Sequence, residues 1–196
     1  MNPKKLLNVI AVFAVCMFTA VTLTTAQADR TSGVYLTAAD YEKKQLAFAG
    51  DCGSKNHKLK PHDFPNKPYI DVKHESEKYR YAKSDLFGFR ECDERDYRFG
   101  SNLNYQILEA EELYIYTLDI WVSRGRTNQT VRKYYFSVGD DGQILMLNLE
   151  NLKRAFPENH RFHDWLDATL GGGQNLADYD KFHNMFRINH LLIASR

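Results

Sequence analysis

The sequence predicts an α+β protein in which an antiparallel β meander of about seven to nine strands is followed by two or three C-terminal helices. Three observations carry that expectation. Short runs rich in Val, Ile, Tyr and Phe recur between residues 33 and 149, separated by turn-forming Gly, Asp and Asn. After Leu149 the apolar spacing changes from alternation to a period of three and four. Neither a Pro/Ser-rich linker nor a repeat divides the two halves, so residues 29–196 are expected to form a single domain, with strands in 33–149 and helices in 150–195.

Residues 1–28 read as a secretory signal peptide. Lys4 and Lys5 supply the positive start, Leu6 to Leu23 an apolar stretch, and Ala26-Gln27-Ala28 small residues at the two positions a signal peptidase reads. Cleavage after Ala28 is expected to leave Asp29 first. The rival reading is an uncleaved anchor, since the apolar run approaches the ~20 residues that span a bilayer. Asn8, several threonines and the small-residue exit favour cleavage. Lipidation at Cys16 is rejected, because Val15 stands where lipoprotein processing needs a small residue.

Cleavage removes Lys4 and Lys5 from 26 basic residues and none of 25 acidic ones, so the formal net charge moves from +1 to −1. Such a balance argues against nucleic acid, whose binding draws on clustered positive charge. No later run reaches transmembrane length, so no membrane span is expected after cleavage.

In chain order, "GVYLT" (33–37) and "LAFAG" (46–50) are strands separated by one helical turn with Thr37 as its cap. "PYIDVKH", "KYRYAKS", "LFGFREC", "DYRFG", "YQILEAEELYIYTLDIWV" and "KYYFSVGDDGQILMLNL" continue the meander. Asp141-Gly142 is the strongest two-residue hairpin signal, and "SRGRTNQT" (123–130), which holds an Asn128 sequon, reads as a polar loop. Alternation places Leu113, Ile115, Thr117, Asp119 and Trp121 on one face of a long strand and Tyr114, Tyr116, Leu118, Ile120 and Val122 on the other. "NLENLKRAF" is a helix ended by Pro157, and "ENHRFHDWLDATL" is a second, stopped at Gly171-Gly172-Gly173. A third is expected after an Asn175/Asp178 capping pair, with Tyr179, Phe182, Phe186 and Ile193 as its buried face.

Cys52 and Cys92 are the two cysteines beyond the leader, which in an exported chain reads as one disulfide. Its rival is a pair of separate buried thiols. A CxxC redox spacing is absent from the sequence.

Candidate chemistry is sparse. His160 and His163 share a helix face at i,i+3, and His183 from the next helix is a third candidate ligand, a set suited to zinc with water in the fourth position; surface or hydrogen-bonded histidines are the plainer reading. No other cofactor is expected. Tyr81, Phe89, Arg90, Tyr97 and Arg98 form an aromatic and arginine run suited to a glycan or peptide face, against the plainer reading of a half-buried sheet. The lysine-rich "KNHKLKPHDFPNK" (55–67) suits an anionic glycan or lipid headgroup, against the plainer reading of an edge strand guarded by charge. A GxSxG elbow and a phosphate-binding glycine loop are both lacking, so no catalytic residue is assigned.

The segments "GVYLTAADY", "KSDLFGFRECDERDYRF", "YYFSVGDDGQI" and "NLKRAFPENHRFHDWL" resemble small exported bacterial proteins of unknown function in which a GYR…YRF-type hairpin precedes a long aromatic strand. The resemblance implies export and an α+β fold and adds no activity. The expected function is therefore an exported, non-enzymatic binding or envelope-associated module in the periplasm, on the outer-membrane surface or in the medium. Its partner would be an envelope glycan, peptide or protein. A metal-assisted hydrolase using the C-terminal histidines is the alternative.

Overall fold

In the computed structural model, residues 30–63, 66–125, 127–172 and 175–196 are described; the signal-peptide expectation, cleavage site included, lies outside them. The chain begins with β1 (Thr31–Tyr35) and enters α1 (Ala38–Glu42). Thr37 caps that turn as expected: its hydroxyl accepts the Asp40 N–H, while its own N–H donates to Asp40 Oδ2 at 3.0 Å. β2 (Ala47–Asp51) returns beside β1. Three strands then pair among themselves, β3 (Lys58–Lys60), β4 (Tyr69–His74) and β5 (Glu77–Ala82). The main sheet resumes as a meander of β6 (Gly88–Arg90), β7 (Asp96–Gly100), β8 (Leu103–Ala110), β9 (Leu113–Arg124), β10 (Thr127–Val138) and β11 (Leu145–Met146).

The α+β class is thus as the sequence predicts, but the strands expected as one meander are divided between two sheets. The eight-stranded sheet has the order β11-β10-β9-β8-β7-β6-β1-β2, which places β1 in its interior between β2 and β6. The three-stranded sheet is apolar on one side. Leu59, Ile70, Val72, Tyr79 and Tyr81 form an apolar side that packs with Val34, Phe89 and Phe99 of the main sheet.

The helical part consists of α2 (Leu149–Ala155), capped by Asn148, and α3 (His160–Gly171), capped by Asn159. Then follow a short hairpin, β12 (Tyr179–Asp180) with β13 (Met185–Phe186), and α4 (Arg187–Ala194). Leu152, Phe162, Leu166, Ile188 and Leu192 from the helices bury Leu113, Ile115 and Phe136 of β9 and β10. On the opposite face of the sheet, Tyr35, Tyr105, Tyr114 and Tyr116 pack with Tyr41 of α1.

Three local expectations are corrected. The run 123–130 is not a loop: β9 and β10 continue through it as a ribbon that turns after Gly125, whose φ of 63° suits glycine. Its distal residues are largely exposed, so polar side chains serve there as well as apolar ones. At the next turn the left-handed residue is Gly139, and Asp141-Gly142 follow it in a longer connection to β11. The first half of the helix expected from Asn175 is replaced by the β12–β13 hairpin, and only its second half is helical, as α4. Asn175 and Asp178 do exchange turn bonds, but Asp180 Oδ1 then accepts the N–H groups of Phe182 and His183, closing a turn where a helix would have continued. Phe182 is consequently 90% exposed.

Candidate functional site

Strand register defines the site. Val34 pairs with Phe89, Phe89 with Tyr97, Tyr97 with Gln106, Gln106 with Thr117 and Thr117 with Tyr134, so all six point to the same side of the main sheet. One end of that side is covered by the three-stranded sheet and the other by the helices. On that side, against Asp63 and Asn66 of the connection between β3 and β4, a cleft of about 450 Å³ remains. Its floor is Asn104, Gln106 and Thr117, with Tyr97 and Trp121 at its borders and Arg95, Asp63 and Asp119 at its rim. These polar residues interrupt a face that is otherwise apolar.

The floor is chemically unfinished. Asn104 is 9% exposed; its Nδ2 donates to Asp63, which fixes the orientation of the amide, and its Oδ1 has no partner among the described residues. A buried acceptor without a donor costs about 1–3 kcal/mol, a cost that a ligand N–H or O–H would remove. Thr117 Oγ1 is engaged with Lys133 O at 3.2 Å, and Asp119 is held by a two-pronged bond from Arg132 at 2.9 and 3.2 Å. Trp121 is 75% exposed, an unusual position for so large an apolar ring.

The sequence-derived binding residues are dispersed around this cleft. Tyr97 borders it, with its inner face stacked on Phe89 at 4.9 Å and 7°. Phe89 is buried and lies beneath the three-stranded sheet, and Tyr81 packs there against Phe48. On the tyrosine face, Arg98 donates to Tyr116 OH, Ser137 Oγ and Gly142 O at 2.7–2.9 Å, pinning the 139–144 connection to the sheet. Arg90 grips Asp96 through two bonds of 2.8 and 2.9 Å, and Asp96 also accepts from Tyr35 and Lys44.

That last cluster makes acid stability testable. Burial alone pushes the Asp96 carboxyl up, but bonds from Arg90, Lys44 and Tyr35 outweigh it and hold the group below its ordinary value. A depressed folded-state value contributes stability that is complete above the ordinary carboxylate range, about pH 4, and is lost as pH falls through the folded value. Asp96→Asn is expected to cost about 2–3 kcal/mol at neutral pH and to flatten the acid side of the stability profile, measured by urea unfolding between pH 3 and 7. Parallel profiles for the variant and the parent would contradict this role.

Chain comparison adds no further constraint: no protein-family model, curated protein or solved structure matches the sequence.

The lysine-rich run follows the outer side of the three-stranded sheet. Lys58, Lys73 and Lys78 share one register row, and Lys60 and Arg80 flank Asp71 in the next. β3 is an edge strand, as the charge-guarding reading expects. Of the histidines, His160 and His163 lie edge to face at 5.9 Å, with His163 Nε2 donating to Phe156 O. His183 does not join them; it stacks on His190 and bonds to Asp180. Cys52 and Cys92 form a disulfide with a Cα separation of 5.6 Å. No described helix is long and apolar enough to cross a membrane.

Sequence reasoning missed Asn104, Gln106 and Trp121 as a set. The signal was present in the face assignment of β9, where Thr117, Asp119 and Trp121 follow Leu113 and Ile115 on what becomes the helix-covered side.

Proposed function

We propose that the protein is an exported, non-enzymatic binding module whose cleft on β7, β8 and β9 of the main sheet takes an envelope glycan. The observation that carries the proposal is the buried Asn104 Oδ1, without a partner among the described residues, on a polar floor bordered by Tyr97 and Trp121. A sugar ring matches both parts of that surface. Its C–H face covers an aromatic ring, and its hydroxyl or acetamido groups donate to amide and carboxylate oxygens. The leader-like N-terminus and the disulfide support export, because such bridges persist in oxidising compartments. The aromatic rings that sequence reasoning assigned to ligand contact include Tyr97, which supports the same surface.

The test uses oligomers of N-acetylglucosamine as the probe, with tryptophan fluorescence and calorimetry as readouts. Trp121→Ala is expected to weaken binding about tenfold or more, a loss on the order of 1.4 kcal/mol, with the melting temperature unchanged because the ring is exposed. Unaltered affinity in that variant, or capture of unglycosylated peptides in preference to glycans, would overturn the assignment.

A further inference from the structure

The β12–β13 hairpin and α4 bring together a group that neither element holds alone. Asp180 ends β12, His183 lies in the turn, and His190 is on α4. One potential ligand atom from each of the three lies within 4.8 Å of the other two, the one such group of three among the described residues. His183 Nδ1–H donates to Asp180 Oδ2 at 2.8 Å, and its ring lies 3.6 Å from that of His190 with planes 16° apart.

We infer that Asp180, His183 and His190 form a binding site for a divalent transition ion of the zinc class. Two imidazoles and a carboxylate are the donor set such ions prefer over hard cations, which take oxygen ligands alone. Bonds of about 2.0–2.2 Å place the donors of a tetrahedral ion roughly 3.3–3.6 Å apart, within the observed spacing, and binding requires the stacked His183 and His190 rings to swing out of their parallel arrangement so that both aim a nitrogen at one ion. The ion takes the place of the proton between His183 Nδ1 and Asp180 Oδ2, and the neutral ring carries its single proton on Nε2 instead. Water fills the remaining positions, which face solvent because His183 is exposed.

The scaffold beneath the group is fixed. Asp180 Oδ1 is anchored by two turn N–H groups, leaving Oδ2 for His183 or an ion. Glu109 on β8 accepts from Phe186 N–H in β13 and from Asn189 in α4, so one carboxylate ties both ligand-bearing elements to the main sheet. Asn189 is the immediate neighbour of His190. Rigid support of this kind separates a site from a chance meeting of exposed side chains. The assignment is independent of the glycan cleft. It also differs from the set His160, His163 and His183, because His183 is recruited by Asp180 and His190.

Zinc titration of the purified chain, with X-ray absorption on the zinc-loaded protein, tests the site. The expected result is one equivalent of zinc with scattering from two imidazoles. His183→Ala and His190→Ala are each expected to weaken binding about tenfold or more, while a His160→Ala/His163→Ala double variant keeps parental affinity. Absence of zinc binding, a spectrum without imidazole scattering, or a loss confined to the His160/His163 variant would overturn the site. The absorption measurement needs no substitution, so a variant that fails to fold does not blunt the test.

Discussion

Asn189→Ala is expected to destabilise the protein by about 3–5 kcal/mol, although it removes only one small polar group. The side chain is fully buried on α4. Its Oδ1 accepts from Leu113 N–H at 2.8 Å and its Nδ2 donates to Leu113 O at 2.9 Å, so the amide imitates a neighbouring strand at the start of β9. The same Nδ2 also donates to the Glu109 carboxylate. Alanine therefore leaves a backbone donor, a backbone acceptor and a carboxylate oxygen short of partners in the interior. Each deprived group costs about 1–3 kcal/mol, more for the charged one, and the sum is moderated by whatever water enters. Urea unfolding supplies the measurement, and an Asn189→Ala/Glu109→Ala double variant should lose less than the two single losses combined. A single-variant loss under about 1 kcal/mol would show that Leu113 finds other partners.

Removing the Cys52–Cys92 bridge is expected to cost about 2–4 kcal/mol while leaving a folded chain. Cys52 follows β2 and Cys92 follows β6, the two strands that flank β1, so the bond closes across the start of β1. It encloses a sequence separation of 40 residues, and its chief effect falls on the unfolded chain, whose freedom it reduces. The two sheets retain Val34, Ile70 and Phe89 in an intact cluster between them, which is why the fold should survive reduction. Thermal melts with and without reductant, and of a Cys52→Ala/Cys92→Ala variant, give the comparison. An unchanged melting temperature would remove the bridge from the account of stability.

Much of this architecture could be read from the chain because its signals were local. Thr37 declared its cap, Pro157 ended α2, and the alternation of β9 assigned its two faces correctly. What escaped was set by tertiary context. The spacing of Tyr179, Phe182 and Phe186 is helical, yet the carboxylate of Asp180 offered the backbone a competing turn, which left Tyr179 and Phe182 exposed while Phe186 stayed buried. Arg90 and Arg98 looked available for a ligand because no sequence rule shows that Asp96 and the 139–144 connection claim them. The cleft was invisible for a related reason: its floor comes from residues on β8 and β9, and its rim from Asp63, far away in the chain.

The interior position of β1 dictates an order of assembly. Its first partner, β2, follows after a short helical turn, but its second, β6, lies beyond all three strands of the smaller sheet in the chain. Until β6 joins, one edge of the earliest strand has unpaired peptide groups and uncovered Val34 and Tyr35, which invite pairing with other chains. Closing so long a loop is entropically slow and is rewarded only at the end, when β6 docks and the two cysteines meet. The rate at which the native protein accumulates should thus follow the joining of β1 to β6, with the disulfide acting as the latch that keeps that late step from reversing.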